Sequence, residues 1–382
     1  MKTVLDYVEE YGIYTLADRP FNEVDGLVLC QMAYFKLDGF VPGPEDNKPS
    51  VGIDDLYCHK DRNRLFIDDW YRDGNMSLLK AAACSRRFGK LRFNYYSNII
   101  NTEFEVQFAA VTLIFEDKTV FLAYRGTDET MIGWKEDLNL AYTRPVQSQL
   151  LSKSYIERTA ADLAGKFYVG GHSKGGNLAV YAAMHCSDKT RERILHVYNY
   201  DGPGFRPEIA QEEKYAELES KMTKFIPKSS VVGMLLESHE GYEVIESRNL
   251  GMMQHNPFSW RIAEQHFVRA KRRSQGKVFR DMMLNEWILS LSQEELQSFI
   301  DTLFQVLSAS EAEDVLTFTA DFKKSMKAVR SAVKEMDADT KAAFGKIMKS
   351  LFDLVGERTR QEFFVKEKDK NKKNEIISGK SS

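Results

Sequence analysis

Read for its alternation of apolar and polar positions, the chain gives its first clear signal at Phe108. Phe108-Ala109-Ala110-Val111-Thr112-Leu113-Ile114-Phe115 is a nearly continuous apolar run, Glu116-Asp117-Lys118 is turn-like, and Val120-Phe121-Leu122-Ala123-Tyr124 is a second run. Short apolar runs bounded by turn residues predict buried strands, here a β-hairpin leading into Arg125-Gly126-Thr127. Helical spacing follows over Ser152 to Leu163, then a strand over Lys166 to Gly171, an Ala-rich helix over Asn177 to His185, and a strand over Ile194 to Tyr200 closed by Asp201-Gly202-Pro203-Gly204. A polar helix (Glu208 to Met222), a strand (Thr223 to Ile226), a helical turn (Val231 to Leu236) and a last strand (Tyr242 to Glu246) complete the series. Strands alternating with helices imply an α/β fold with a parallel sheet covered on both faces.

The flanks differ. The first hundred residues mix short helical patterns with loops, and Gly39 to Gly52, carrying Pro42, Pro44 and Pro49, reads as a surface loop. After about Arg273 the strands stop. Ser292-Gln293-Glu294-Glu295 is a capping box opening a helix with Leu296, Phe299, Ile300, Leu303 and Leu307 on one face. A second helix carries Val315, Phe318, Phe322, Met326, Val329 and Val333, and a third spans Thr340 to Leu354. These stripes read as core packing. The expected organisation is a hydrolase-like domain over 1–276, a helical appendage over 277–362 and a charged, disordered tail over 363–382.

Composition narrows the function classes. A chain of 382 residues at 43% hydrophobic can bury one large core and a smaller domain, and its net charge of −3 gives no reason to expect nucleic-acid binding. The acidic Glu9-Glu10 interrupts the start before any signal-peptide run, and no stretch approaches a membrane span, so the expectation is a soluble, cytoplasmic protein. Cys30, Cys58, Cys84 and Cys186 lack CxxC spacing and read as free buried thiols. The seven histidines are dispersed without an HExxH pattern, so no metal or cofactor is called for.

The chemistry gathers around one serine. A serine hydroxyl needs a base, an acid to orient the base, and donors aimed at the developing oxyanion. Gly171-His172-Ser173-Lys174-Gly175 sets Ser173 between a strand and a helix. The pentapeptide alone arises by chance in roughly one chain in ten of this length. Its context gives it weight: the sharp turn needs glycines where side chains would collide, and the helix N-terminus adds a favourable dipole. Ser173 is the candidate nucleophile, and the backbone N–H of Lys174 the first oxyanion donor. Arg125-Gly126-Thr127-Asp128 ends the preceding strand, where Thr127 can be the second donor; on pattern alone it is equally an ordinary turn. The base should be a histidine after the last strand. His255 stands there, in Met253-Gln254-His255-Asn256-Pro257, although it also reads as a loop histidine capping a helix from Ser259. His239 precedes that strand, His266 falls in an expected helix, His172 belongs to the elbow and His185 lies far down the next helix.

Five segments in one order carry a resemblance: Tyr124-Arg125-Gly126-Thr127-Asp128, Trp134-Lys135-Glu136-Asp137, Gly171 to Asn177, Asp201-Gly202-Pro203-Gly204-Phe205 and Gln254-His255-Asn256-Pro257. From Phe21 to Trp260 the chain resembles the bacterial Mbeg-like family of α/β-hydrolases, which is similar to the class 3 (fungal-type) lipases. The resemblance implies an α/β-hydrolase fold with a mostly parallel central sheet, makes Thr127 an oxyanion residue, and brings no substrate. In one place the sequence departs from it. Class 3 lipases carry their catalytic Asp just after the strand before the histidine strand, and the matching stretch, Ile226 to Gly233, has Ser230 there. Asp201, directly after the strand that follows the nucleophile helix, is the obvious substitute, since a triad is defined by geometry and not by chain position. Its competing reading is a turn aspartate capping its own backbone, which would leave Glu237 or a Ser–His dyad.

The expected function is hydrolysis of a carboxylic ester, a lipid or other acyl ester, by Ser173, His255 and Asp201 with Thr127 and Lys174 at the oxyanion; the helix Glu208 to Met222 is available as a lid. The alternative is a catalytically weak hydrolase-fold scaffold that binds a protein partner through its helical appendage.

Overall fold

The two apolar runs pair as an antiparallel hairpin in the computed structural model, with Ala110 opposite Tyr124 and Ile114 opposite Val120. Described in it are residues 2–67, 70–128, 130–141, 145–236, 241–270, 285–308, 331, 334–347 and 349–350. The hairpin belongs to an eight-stranded sheet whose spatial order is the chain order: β1 (Val51–Gly52), β2 (Arg92–Asn101), β3 (Val106–Ile114), β4 (Val120–Tyr124), β5 (Phe167–His172), β6 (Ile194–Tyr200), β7 (Met222–Pro227) and β8 (Tyr242–Ile245). β1 to β4 pair antiparallel and β4 to β8 parallel, the arrangement of an α/β-hydrolase fold with an antiparallel extension at one edge.

The uninterrupted apolar sequence of β4 has a simple cause. Side chains alternate across a strand, and both faces of this one are covered. Val120, Leu122 and Tyr124 enter one core, with Val169, Leu178 and Val197; Phe121 and Ala123 enter the other, with Val28, Phe88 and Phe225. Helices α1 (Val4–Tyr11), α2 (Glu23–Met32), α3 (Ile53–Cys58) and α4 (Arg72–Ala83) precede β2. Between β4 and β5 lie α5 (Met131–Asn139) and α6 (Gln147–Asp162), between β5 and β6 lie α7 (Lys174–His185) and α8 (Asp188–Arg191), and between β6 and β7 lie α9 (Pro207–Ala210) and α10 (Glu213–Glu219). α6, α7 and α10 contribute to the first core, and α1, α2 and α4 to the second. The N-terminal segment thus supplies the cover that the crossover helices leave off the opposite face.

Four expectations need correction. β2 was not legible as a strand. The single polar helix expected over Glu208 to Met222 is two short ones, and Ala210, Tyr215 and Leu218 are buried in the first core instead of facing solvent as a lid would require. His266 sits in a two-residue hairpin, β9 (Ile262–Ala263) with β10 (His266–Phe267), not in a helix. Of the cysteines, all free, Cys30 and Cys186 are buried while Cys58 and Cys84 are exposed.

The chain divides into two compact units, with the sheet in the first. In the second, the expected capping box is formed: Ser292 N donates to Glu295 Oε2 (3.0 Å) and Glu295 N to Ser292 Oγ (3.1 Å), opening the helix Gln293–Ser308. Leu296, Phe299, Ile300 and Phe304 are buried, and Phe299 packs on Trp287 and Phe344. Most of the expected second helix and the charged tail lie outside the described residues, and the third is helical over 338–347. No helix among the described residues is long and apolar enough to cross a membrane.

Candidate active site

Parallel strands leave one common edge where their carboxyl ends open into loops, and that is where ligand sites of α/β sheets form. Along this edge β4 runs into Arg125-Gly126-Thr127, β5 into Ser173, β6 into Asp201, β7 into Ser230, and β8 into the loop carrying His255.

Ser173 adopts φ 58° and ψ −135°, a conformation L-residues avoid unless the surroundings impose it. The glycines explain how it is imposed. A Cβ on Gly171 would lie 2.1 Å from the Gly175 carbonyl oxygen, and one on Gly175 2.2 Å from the Tyr124 carbonyl oxygen, so strand, elbow and helix can close this tightly only without side chains. Ser173 N donates to Tyr200 O (2.9 Å), and Asn177 Nδ2 donates to Gly204 O (2.8 Å), tying the elbow to the end of β6.

Asp201 and His255 are brought together. Asp201 is fully buried, and its Oδ2 lies 2.7 Å from His255 Nδ1, whose side chain is 21% exposed. A carboxylate only accepts, so Nδ1 carries the proton and Nε2 presents a lone pair. Ser230 Oγ, standing where the resemblance expects an acid, donates to the same Asp201 Oδ2 at 2.7 Å. Asp201 itself has φ 57°, which the Asp-Gly turn tolerates. Glu237 and His239 lie outside the described residues.

His172 proves to be part of the site's frame. Its ring lies against that of His255, tilted by 31° with centroids 4.6 Å apart, its Nε2 lies 3.0 Å from the His255 carbonyl oxygen, and its Nδ1 lies 3.0 Å from Tyr34 Oη. A carbonyl only accepts, so Nε2–H donates to it and Tyr34 donates to Nδ1. Burial, reinforced by His255 alongside, holds His172 well below the usual imidazole range and therefore neutral. His185 is remote, at the end of α7, 3.8 Å from Glu212.

Thr127 stands next to the elbow: a Cβ on the preceding Gly126 would lie 3.0 Å from Ser173 Cβ and 2.3 Å from Tyr34 Oη. Its hydroxyl donates to Asp137 Oδ2 at 2.5 Å. Burial pushes the Asp137 carboxyl up to about 6, against the opposing pull of Lys174 and the Thr127 hydrogen bond. The Lys174 side chain runs inward, completely buried. Its ammonium donates to Gln107 O (2.8 Å), Gln107 Oε1 (2.7 Å) and Glu136 Oε2 (2.9 Å), and stands 4.0 Å from Asp137 Oδ1. Glu136 is equally buried and also accepts from Gln107 N and Ser148 N, both at 3.0 Å. Sequence reasoning gave His172, Glu136 and Asp137 no role. The one available signal was that Glu136 and Asp137 belong to one of the five ordered segments.

Among the described residues, no group of His, Cys, Asp and Glu is arranged to hold a metal ion.

Comparison with known proteins gives the following. The Mbeg1-like family model matches residues 82–305 of the chain. No curated protein matches it in sequence. Among solved structures the chain is similar to M37 lipase, at 14% identity and a TM-score of 0.36, over 56% of this chain and 70% of that one. It is also similar to the Rhizomucor miehei lipase in its propeptide complex, at 13% identity and a TM-score of 0.35, over 62% of this chain and 76% of that one.

Proposed function

The chain belongs to the Mbeg1-like family, and we propose that it is a serine hydrolase acting on a carboxylic ester, a lipid or other acyl ester. The observation that carries this reading is the buried Asp201 carboxylate 2.7 Å from His255 Nδ1, at the sheet edge where Ser173 sits on a left-handed elbow. In this mechanism Ser173 Oγ attacks the ester carbonyl and His255 Nε2 takes its proton. The Asp201 carboxylate stabilises the resulting imidazolium and holds its tautomer. The backbone N–H groups of Thr127 and Lys174 receive the charge that builds on the carbonyl oxygen. His255 then returns its proton to the departing alcohol, and a water activated by the same imidazole hydrolyses the acyl-enzyme. Leu138, Leu250 and Met253, exposed and close in sequence to Asp137 and His255, offer apolar surface to an acyl chain.

A fluorophosphonate probe and short p-nitrophenyl esters test the proposal together. Wild-type protein should be labelled and should turn over the esters. Ser173→Ala should abolish labelling and lower kcat by several orders of magnitude while the thermal transition stays in place. Wild-type protein inert to both reagents would overturn the hydrolase reading and leave the scaffold reading in its place.

A further inference from the structure

The charged pair beneath the nucleophile does more than pack. Lys174 and Glu136 are both buried, at 0% and 1% side-chain exposure. Removing two charges from water costs several kcal/mol each, so a buried ion pair is by itself weak evidence of a stabilising role. The pair is nevertheless fully satisfied. All three ammonium protons are used, and the two Glu136 oxygens accept from the ammonium, from Gln107 N and from Ser148 N. It therefore joins four elements at one point: the nucleophile helix α7, strand β3, helix α5 and the start of α6. The next residue of α5 is Asp137, which receives the Thr127 hydroxyl. Asp137 Oδ1 has no hydrogen-bond partner among the described residues and faces the Lys174 ammonium at 4.0 Å.

We propose, resting on the hydrolase reading above, that the Lys174–Glu136 pair is a positioning device for the oxyanion side of the site: it anchors α5 to the nucleophile elbow and supplies the positive charge that keeps Asp137 as the anion receiving Thr127. Lys174 thereby has two separable parts, a backbone N–H that faces substrate and a side chain that acts through Asp137. Among the described residues, the charged and titratable groups acting on Asp137 are Lys174 on α7, Glu136 on α5 and His255 on the loop after β8; burial and Glu136 favour its neutral form, Lys174 and His255 its charged form. Without the ammonium the balance tips towards protonation, and a protonated Asp137 no longer offers Thr127 a charged acceptor.

The test is the pH dependence of kcat for ester hydrolysis in wild type, Lys174→Met/Glu136→Leu, Asp137→Asn and the triple variant, with thermal melts alongside. The double variant replaces the pair by apolar side chains of similar volume but leaves Gln107 N and Ser148 N without their acceptor, so its melting temperature should fall while the folded protein remains available for kinetics. Its kcat should fall on the order of 10²-fold near neutral pH, and the acid limb of its profile should move up, by less than the loss of Lys174 alone would give, because Glu136, which favours the neutral form of Asp137, is removed with it. In the Asp137→Asn background the same two substitutions should leave the limb where it was. A double variant whose limb coincides with that of wild type overturns the proposal, as does an equal shift in the absence of Asp137. If the double variant does not fold, Lys174→Arg against Lys174→Gln reads the same point. The retained charge should hold the limb and the lost charge should move it; equal limbs overturn the proposal. Wild-type protein that is inert and unlabelled is a different failure, that of the hydrolase reading itself.

Discussion

Replacing Asp201 by Asn is the sharpest single perturbation of the proposed triad. The substitution keeps shape, left-handed backbone tolerance and the ability to accept from Ser230 Oγ, and it removes one charge at 0% exposure. Its cost falls on the step in which His255 becomes an imidazolium. In the wild type that cation would face a carboxylate in direct contact at 2.7 Å. In the variant the amide either presents its oxygen without charge or turns its NH2 to Nδ1, which forces the proton onto Nε2 and removes the lone pair that must accept from Ser173. Loss of charge and tautomer together should lower kcat by roughly 10²–10⁴, or about 3–5 kcal/mol of transition-state stabilisation. The assay is initial-rate hydrolysis of p-nitrophenyl butyrate, with a thermal melt to show that the fold persists. A variant with near-normal kcat would refute the reasoning and reduce Asp201 to a turn residue.

Two further outcomes follow from the same geometry. Gly126→Ala puts a methyl group 2.3 Å from Tyr34 Oη and 3.0 Å from Ser173 Cβ, so kcat should drop on the order of 10²-fold while the protein stays folded; unchanged kinetics would mean that the Thr127 turn is not held against the elbow. Arg87→Met strands the buried Asp25 carboxylate and frees the Thr15, Arg19 and Pro20 carbonyls that the guanidinium binds, which should cost about 3–5 kcal/mol in urea unfolding while leaving kcat of the folded fraction unchanged.

How far the fold and the site could be read from sequence follows from how local their causes are. β3 and β4 announce themselves because burial on both faces leaves almost every position apolar. The elbow does so because its glycines are a local steric need. β2 hid because its residues, Arg-Phe-Asn-Tyr-Tyr-Ser-Asn-Ile-Ile-Asn, are only partly buried and its register shifts between Asn94 and Ser97, with Tyr95 at φ 53°, which destroys the period of two. His266 misled because a two-residue strand beyond a turn at Glu264 (φ 56°) has no periodicity to detect. Asp201 came into view only through the resemblance, as the substitute acid next along the sheet edge once Ser230 stood in the expected place, and its closeness to His255 depends on a turn 54 residues away. Asp137 and Glu136 could not be reached, since their meaning depends on α5 folding back beside the elbow, a contact no spacing encodes. His172 was passed over because the serine beside it accounts for the motif, whereas its own partners, Tyr34 and His255, are 138 and 83 residues away.

The cover of the second sheet face has a consequence for the order in which this protein can assemble. Glu23, at the start of α2, accepts from Tyr200 Oη through its carbonyl, from Phe267 N at 2.8 Å and from Arg269 Nη1 at 2.7 Å, partners 177, 244 and 246 residues later in the chain. Ile262 N donates to Lys2 O at 2.9 Å, and Trp260 and Phe267 share a core with Val4 and Tyr7. Helices α1 and α2, made before the sheet, therefore lack part of their binding surface until β6, β7 and the β9–β10 hairpin have followed. Contacts of such separation carry their loop-closure cost before any return, and they slow the closing of a fold. During that interval Val24, Leu27 and Val28 have no finished sheet to cover, and their apolar face is open to misassembly.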